Sequence, residues 1–274
     1  MTDNILEVRD LRVWFPVKKG VFGRTAGYVK AVDGVSFDIR RGETLGVVGE
    51  SGCGKSTTSR AVLLLNRPRS GTMRFNGRDV ASMRGRELME YRRKVQVVFQ
   101  DPQASLNPRH TIREIVTEGM VVHGLCRREE RTARATELLE AVGLGAQALD
   151  RYPHEFSGGQ RQRVCIARAI ALKPELLICD EAVSALDLSI RAQVLDLLGN
   201  LKKRLGLSFM FITHDVGVVQ NIADRVIVMH KGRIVEEGAA DDVLAHPQKD
   251  YTKRLMASVP KIGRPLPDMG DDGE

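Results

Sequence analysis

The segment Gly49-Glu50-Ser51-Gly52-Cys53-Gly54-Lys55-Ser56 has phosphate-loop spacing: glycine, four residues, glycine, lysine, hydroxyl. Glycines let the backbone curl so that successive N–H groups point inward at phosphate oxygens. A helix opening at the lysine turns its positive end on the same anion. Lys55 then reaches the β- and γ-phosphates, and the Ser56 hydroxyl ligates Mg²⁺. The chemistry is recognition of a nucleoside triphosphate. Gly49, Ser51, Gly52, Cys53, Gly54, Lys55, Ser56 and Thr57 are the residues expected around it.

A second glycine signal, Ser157-Gly158-Gly159-Gln160, opens another helix and so forms another anion-binding terminus. After it comes an apolar run, Leu176 to Cys179, ending in Asp180-Glu181. Mg²⁺ takes hard oxygen ligands, and an aspartate at a buried strand end supplies one, often through water. Glu181 is a candidate general base or water-positioning group. Alone, an apolar run ending in Asp-Glu could be a strand reaching the surface. Behind a phosphate loop it reads as metal and water chemistry.

These residues need elements to hold them. Thr44 to Val48 reads as a short buried strand running into the loop, and Lys55 to Leu65 as the helix after it. Leu6 to Phe15 and Ala31 to Ile39 read as strands. Between them Pro16 to Lys30, rich in Gly and Lys, reads as an extended exposed loop. Thr72 to Phe75 followed by Asn76-Gly77 is a hairpin signal, and Val95 to Phe99 a strand. From Asp101 to about Lys173 strand signals vanish and helical periodicity takes over, at Thr111 to Val122 and Arg128 to Val142. Alternation then resumes: strand to Cys179, helix Ser189 to Leu205, strands Phe209 to Thr213 and Val226 to Met229. Such alternation predicts a mostly parallel sheet with helices on both faces. The expected division is an α/β core of 1–100 and 174–245 and a helical insert of 101–173. A C-terminal extension of 246–260 and a mobile tail of 261–274 follow.

Composition bounds the function. With 274 residues and 42% apolar content, the chain can build a real core. Its net charge of +7 suits nucleotides, nucleic acid or an anionic membrane surface, but the arginines are scattered, which argues against nucleic acid. No apolar run approaches the ~18–20 residues of a spanning helix, and Met1 to Asn4 lacks a signal-peptide plan. The expectation is a cytosolic or peripheral protein. Cys53, Cys126, Cys165 and Cys179 are far apart, so a metal cluster or disulfide framework is not expected. Cys53 reads either as a small residue that fits the loop or as a thiol whose oxidation would block nucleotide.

The ordered set of motifs resembles the ATPase subunit of an ABC transporter. The set is the phosphate loop, Gln100, Phe156-Ser157-Gly158-Gly159-Gln160-Arg161-Gln162-Arg163, Asp180-Glu181, Ser184-Ala185-Leu186-Asp187 and His214, and the resemblance runs from Leu6 to Pro260. It implies a P-loop NTPase core with an N-terminal antiparallel β subdomain and an inserted helical subdomain. It implies two ATP sandwiched head to tail between two such chains, Ser157 to Gln160 of one closing on the γ-phosphate held by the other. It implies that Gln100 contacts Mg²⁺ and the attacking water, with Ser56 and Asp180 the other metal residues. His214 then contacts the γ-phosphate and orients Glu181, and Asp187 crosses the dimer interface. The adenine is implied to stack on an aromatic of the N-terminal strands, for which Phe15 and Tyr28 are the candidates, Phe15 first.

Three features resemble the dipeptide, oligopeptide and nickel importers of that family. They are the long segment 16–30, the run Gln100 to Pro108, and the ending His246 to Leu255. That ending departs from the usual pattern at Lys249 and Asp250, and Ala182 stands where a proline is common. The implied partners are a second, identical or related ATPase, two transmembrane permeases and, through them, an extracytoplasmic binding protein. The implied place is the cytoplasmic face of the inner membrane. Two rivals remain at this stage. An ABC ATPase acting on nucleic acid would show salt-dependent DNA or RNA binding. A stand-alone nucleotide kinase would transfer phosphoryl to an acceptor other than water.

Overall fold

A computed structural model describes residues 3–19 and 24–257. The expected tail of 261–274 and the last residues of the expected extension lie outside them. The strands are β1 (Asn4–Lys19), β2 (Arg24–Arg40), β3 (Thr44–Val48), β4 (Ser70–Phe75), β5 (Arg78–Asp79), β6 (Val95–Phe99), β7 (Leu176–Asp180), β8 (Ser208–Ile212), β9 (Arg225–His230) and β10 (Arg233–Ala239). They form two sheets, ordered β2-β1-β4-β5 and β10-β9-β3-β8-β7-β6. The first is antiparallel. The second is parallel except for β10, which pairs antiparallel with β9.

The helices are α1 (Lys55–Val62), α2 (Gly85–Lys94), α3 (Pro102–Ser105), α4 (Ile112–Val122), α5 (Arg131–Ala141), α6 (Gly158–Ile170), α7 (Leu188–Leu205), α8 (Val216–Ile222), α9 (Ala240–Ala245) and α10 (Asp250–Ala257). Between β6 and β7 the described chain forms only helices and turns, which agrees with the loss of strand signals there. No helix among the described residues is long and apolar enough to cross a membrane.

The central strands are buried on both faces. Every residue of β3, β7 and β8 is buried. That explains why they read as continuous apolar runs rather than alternating ones. One apolar cluster joins α1 and the antiparallel sheet to one face of the parallel sheet. A second joins α4 to α7 to the other face.

The described residues of the segment from Pro16 to Lys30 are largely exposed, as expected, but form strands rather than a loop. Its described residues continue β1 and β2 as one long hairpin, with Phe15 opposite Val29, Pro16 opposite Tyr28 and Val17 opposite Gly27. Its glycines and lysines mimic a loop in composition. Tertiary contacts override that, because Trp14 and Tyr28 pack with ring centroids 6.1 Å apart and Arg69 lies over both rings, at 4.6 and 4.7 Å. Lys30 covers the Trp14 ring at 4.6 Å. Cation–π contacts of this kind contribute about 0.5–1 kcal/mol each at exposed sites.

One bulge of this hairpin meets the nucleotide loop. The register slips between Val13↔Val32 and Trp14↔Lys30, leaving Ala31 unpaired. Its carbonyl faces the β9–β10 turn at Gly232, which has φ +78°. A Cβ on Gly232 would sit 2.9 Å from the carbonyl oxygens of both Ala31 and Lys30. Gly232 also donates to Cys53 O at 2.9 Å and accepts from Asp33 N at 2.8 Å. Replacing Gly232 by Ala is expected to cost about 1–3 kcal/mol of stability through backbone strain. A urea titration showing an unchanged midpoint would contradict this role.

Candidate functional site

The site lies along the carboxyl edge of the parallel sheet, where loops leave adjacent strands. This is where open α/β sheets bind ligands. The phosphate loop follows β3, Gln100 follows β6, Asp180 ends β7 with Glu181 next to it, and His214 lies just past β8. Strand order brings together what sequence separates. Phe99 pairs with Asp180, so the next residues, Gln100 and Glu181, leave the sheet side by side.

The loop has the shape its sequence predicts. Gly54 caps α1 at φ +108°, and a Cβ there would come within 2.3 Å of Ala31 O. Only glycine fits this position. Lys55 is buried, and its ammonium donates to Gly49 O at 2.7 Å and Glu50 O at 2.9 Å. These bonds aim the charge across the mouth of the loop. Thr57 follows on α1, and Ser51 and Gly52 are exposed at the loop's crest.

Asp180 is 5% exposed and accepts from Ser56 Oγ at 2.9 Å and from Ser59 Oγ at 3.0 Å. No ion pair to it occurs among the described residues. A buried carboxylate answered only by hydroxyls leaves room for a cation. The donors are hard oxygens, which suits Mg²⁺ and not a softer metal. The residues therefore fit the metal that the loop implies, and Ser56 and Asp180 are the ones that would hold it.

Ser59 did not figure in the motif reading. Its signal was present: it lies three residues after Ser56, on the same face of α1. It is fully buried and braces the second carboxylate oxygen.

Glu181 has φ +53°, a left-handed backbone that costs a non-glycine residue of order 1–3 kcal/mol. Both sides of it are gripped. Its N–H donates to Ile212 O at 2.9 Å, and its carbonyl accepts from Ser184 N at 3.1 Å and Ser184 Oγ at 2.8 Å. The side chain, 18% exposed, is thereby turned to the sheet edge. Its Oε2 lies 3.3 Å from Nδ1 of the more exposed His214. Asp215, beside His214, is held by Arg191 of α7 at 2.6 Å and caps α8 through Gly217 N at 3.0 Å.

Other expected residues stand apart. Ser157 caps α6 in a reciprocal box with Gln160, at 3.3 and 3.0 Å, and both are exposed. Asp187 is exposed at the start of α7. Among the described residues no hydrogen bond or ion pair joins either to the phosphate loop. Gly159 passes against α7, since a Cβ there would lie 2.5 Å from Ile190 Cγ2, but Gly158 faces open space. Phe15 and Tyr28 fall on opposite faces of the hairpin. Tyr28 packs with Trp14 and Arg69, whereas Phe15 shares its face with buried Val13. Cys53 is buried, and burial raises its thiol pKa, which favours the reading of a small loop residue over a reactive thiol.

The segment after Gln100 is tied to the helix that carries Ser157 at its start. Asp101 caps α3 through Gln103 N at 2.8 Å and Ala104 N at 3.1 Å. Arg168 of α6 donates to Ser105 O, and Ser105 Oγ lies 3.2 Å from Cys165 Sγ. Arg161 of α6 reaches Gln103 Oε1 at 3.3 Å.

Strand, loop, helix and acidic strand end together define a P-loop nucleotide-binding fold. Residues 32–184 match the family model described as ABC transporter. The chain is 49% identical to the oligopeptide transport ATP-binding proteins AppF and OppF of Bacillus subtilis. Those matches cover 94% and 95% of this chain, and 79% and 84% of the relatives. It is 51% identical to the glutathione import ATP-binding protein GsiA of Pectobacterium atrosepticum over 94% of this chain, but spans only 41% of that relative's length. Among solved structures it resembles the dimeric post-hydrolysis ATP-binding cassette MJ0796 bound to ADP and Pi, with TM-score 0.75 and 29% identity. That match covers 86% of this chain and 98% of the other. The chain belongs to the ABC transporter family.

Ser59→Ala removes one of two hydroxyls from a buried carboxylate. It is expected to destabilise the fold by about 1–3 kcal/mol, measured by chemical denaturation. A variant as stable as the parent would mean that Ser59 does not brace Asp180.

Proposed function

We propose that this chain is the ATP-hydrolysing subunit of an importer of peptides or a related small solute. The observation that carries this is the sheet edge itself. There Lys55 and Ser56 at the start of α1, Asp180 at the end of β7 with Glu181 next to it, and His214 just after β8 gather around one phosphate loop.

In this reading the loop N–H groups and Lys55 hold the triphosphate, while Ser56 and Asp180, with Gln100, hold Mg²⁺. The metal would neutralise charge on the phosphate oxygens. Glu181 orients a water and accepts its proton as the water oxygen bonds to the γ-phosphorus. The bond from that phosphorus to the bridging oxygen breaks, releasing ADP and inorganic phosphate. His214 steadies the Glu181 carboxylate and reaches the γ-phosphate. Catalysis is positioning and charge neutralisation more than covalent chemistry. Phe15, exposed on the face that continues from buried Val13 and not packed with Trp14 and Arg69 as Tyr28 is, is the aromatic assigned to adenine stacking.

The pairing of two chains is part of the same reading. The start of α6 offers free N–H groups to solvent, and nothing within 4 Å of Gly158 in its own chain demands a glycine there. A γ-phosphate bound by a second chain would supply that demand, with Asp187 at the interface. Closure completes the site, so hydrolysis is gated by association. Two permeases, and through them an extracytoplasmic binding protein, complete the assembly at the cytoplasmic face of the membrane. The segment Ser105 to Pro108 faces the permease. Peptides are favoured as cargo by the two oligopeptide relatives, with glutathione next. The family match and the transport relatives weigh against action on nucleic acid.

Glu181→Gln is expected to slow hydrolysis by ~10²–10⁴ while ATP binding persists and the closed dimer accumulates. Phosphate release and size-exclusion chromatography with ATP check both. Near-parental turnover would remove Glu181 from its role.

A further inference from the structure

Among the residues outside the nucleotide motifs that meet the phosphate loop, Tyr251 does so through its side chain. The Glu50 N–H donates to the Tyr251 hydroxyl at 3.1 Å, across 201 positions of sequence. The Glu50 carbonyl is held separately, by Lys55 Nζ at 2.9 Å. Glu50 is exposed, so without Tyr251 its amide could turn to water. Each N–H of such a loop must keep its direction if the loop is to fit a phosphate.

Tyr251 is itself placed firmly. It is 9% exposed and packs among Val48, Val228, Val243 and Leu255. Its ring lies 4.0 Å, centroid to centroid, from that of His230. His230 ends the strand whose Met229 carbonyl lies directly under Gly49. The entry to α10 is pinned as well, since the Glu236 carboxylate accepts from Gln248 N at 2.7 Å and Lys249 N at 3.2 Å. Burial raises the Tyr251 pKa above its ordinary value, so the hydroxyl stays neutral and able to accept.

We propose that Tyr251 is a positioning residue of the nucleotide site: its hydroxyl holds the Glu50 peptide so that the phosphate loop stays open. ATP affinity is thereby tied to the docking of the C-terminal helix α10, which lies outside the phosphate loop. The proposal rests on the ATPase reading above.

The test is Tyr251→Phe in the full chain, which removes the hydroxyl and keeps the ring and its stacking. Thr252→Val, at the fully buried next residue, is a near-isosteric change in the same helix that leaves the Tyr251 hydroxyl in place. Titration with MgATP is expected to show a Kd raised about 2–10-fold for Y251F, the worth of one neutral hydrogen bond, and unchanged for T252V. The Glu50 amide resonance is expected to shift in Y251F alone. Parental affinity in Y251F, or an equal loss in T252V, overturns the positioning role. Absence of ATP binding in the unchanged chain is a different result, which overturns the ATPase reading and this proposal with it.

Discussion

The hydrogen bond from Gly232 N–H to Cys53 O, at 2.9 Å, carries more than its own energy. The loop holds part of itself, through Lys55 on the Gly49 and Glu50 carbonyls and through Cys53 N on Glu50 O at 3.3 Å. The rest of it is held from outside. Gly232 does this for Cys53, and the bulged Ala31 carbonyl abuts Gly54. Met229 O underlies Gly49, and Tyr251 takes the Glu50 amide. The props come from β2, β9, the β9–β10 turn and α10. The antiparallel sheet and the C-terminal helix thus support the nucleotide loop without belonging to its motif.

The parallel sheet does the complementary work of bringing distant acids to the loop. Asp180 is buried, which a carboxylate tolerates only with donors around it. Ser56 and Ser59 supply them and at the same time lock α1 to β7. Glu181, one residue on, is forced into a left-handed backbone and secured by Ile212 and Ser184. Strain held in this way aims a side chain more firmly than a relaxed strand end would. The helical segment follows a separate logic. Arg161, Cys165 and Arg168 of α6 bind the segment after Gln100 to the helix that begins at Ser157. A displacement of one is therefore carried to the other.

Much of the site could be read from residue types in order. Gly49 to Ser56 and Asp180-Glu181 have a local reason for their proposed chemistry, and local reasons survive without coordinates, whereas His214 was singled out through the resemblance of the whole motif set. The central strands were legible for the same reason, since fully buried strands are plain apolar runs. The hairpin of β1 and β2 was not. Its composition is that of a loop, and its order comes from Arg69, which lies far off in sequence and over Trp14 and Tyr28. The short strand β10 was missed because only two of its residues are strongly apolar and none is fully buried. Ser59 was missed because a serine inside a helix is common, and only the facing Asp180 gives it a purpose.

The sequence by itself determined the motifs and the family they belong to: a phosphate loop, an acidic strand end and a second glycine-rich helix start. It could do so because spacing along a loop or helix dictates which groups converge locally. Which of those groups share one site was decided by tertiary structure. Strand order sets Gln100, Glu181, His214 and Lys55 along one edge, while Ser157, Gly158, Gln160 and Asp187 are exposed, with no hydrogen bond or ion pair to the loop among the described residues. Tertiary structure also placed Phe15 and Tyr28 on opposite faces and brought Tyr251 to Glu50. Contacts across 200 residues depend on how sheets and helices stack, and no local pattern encodes them.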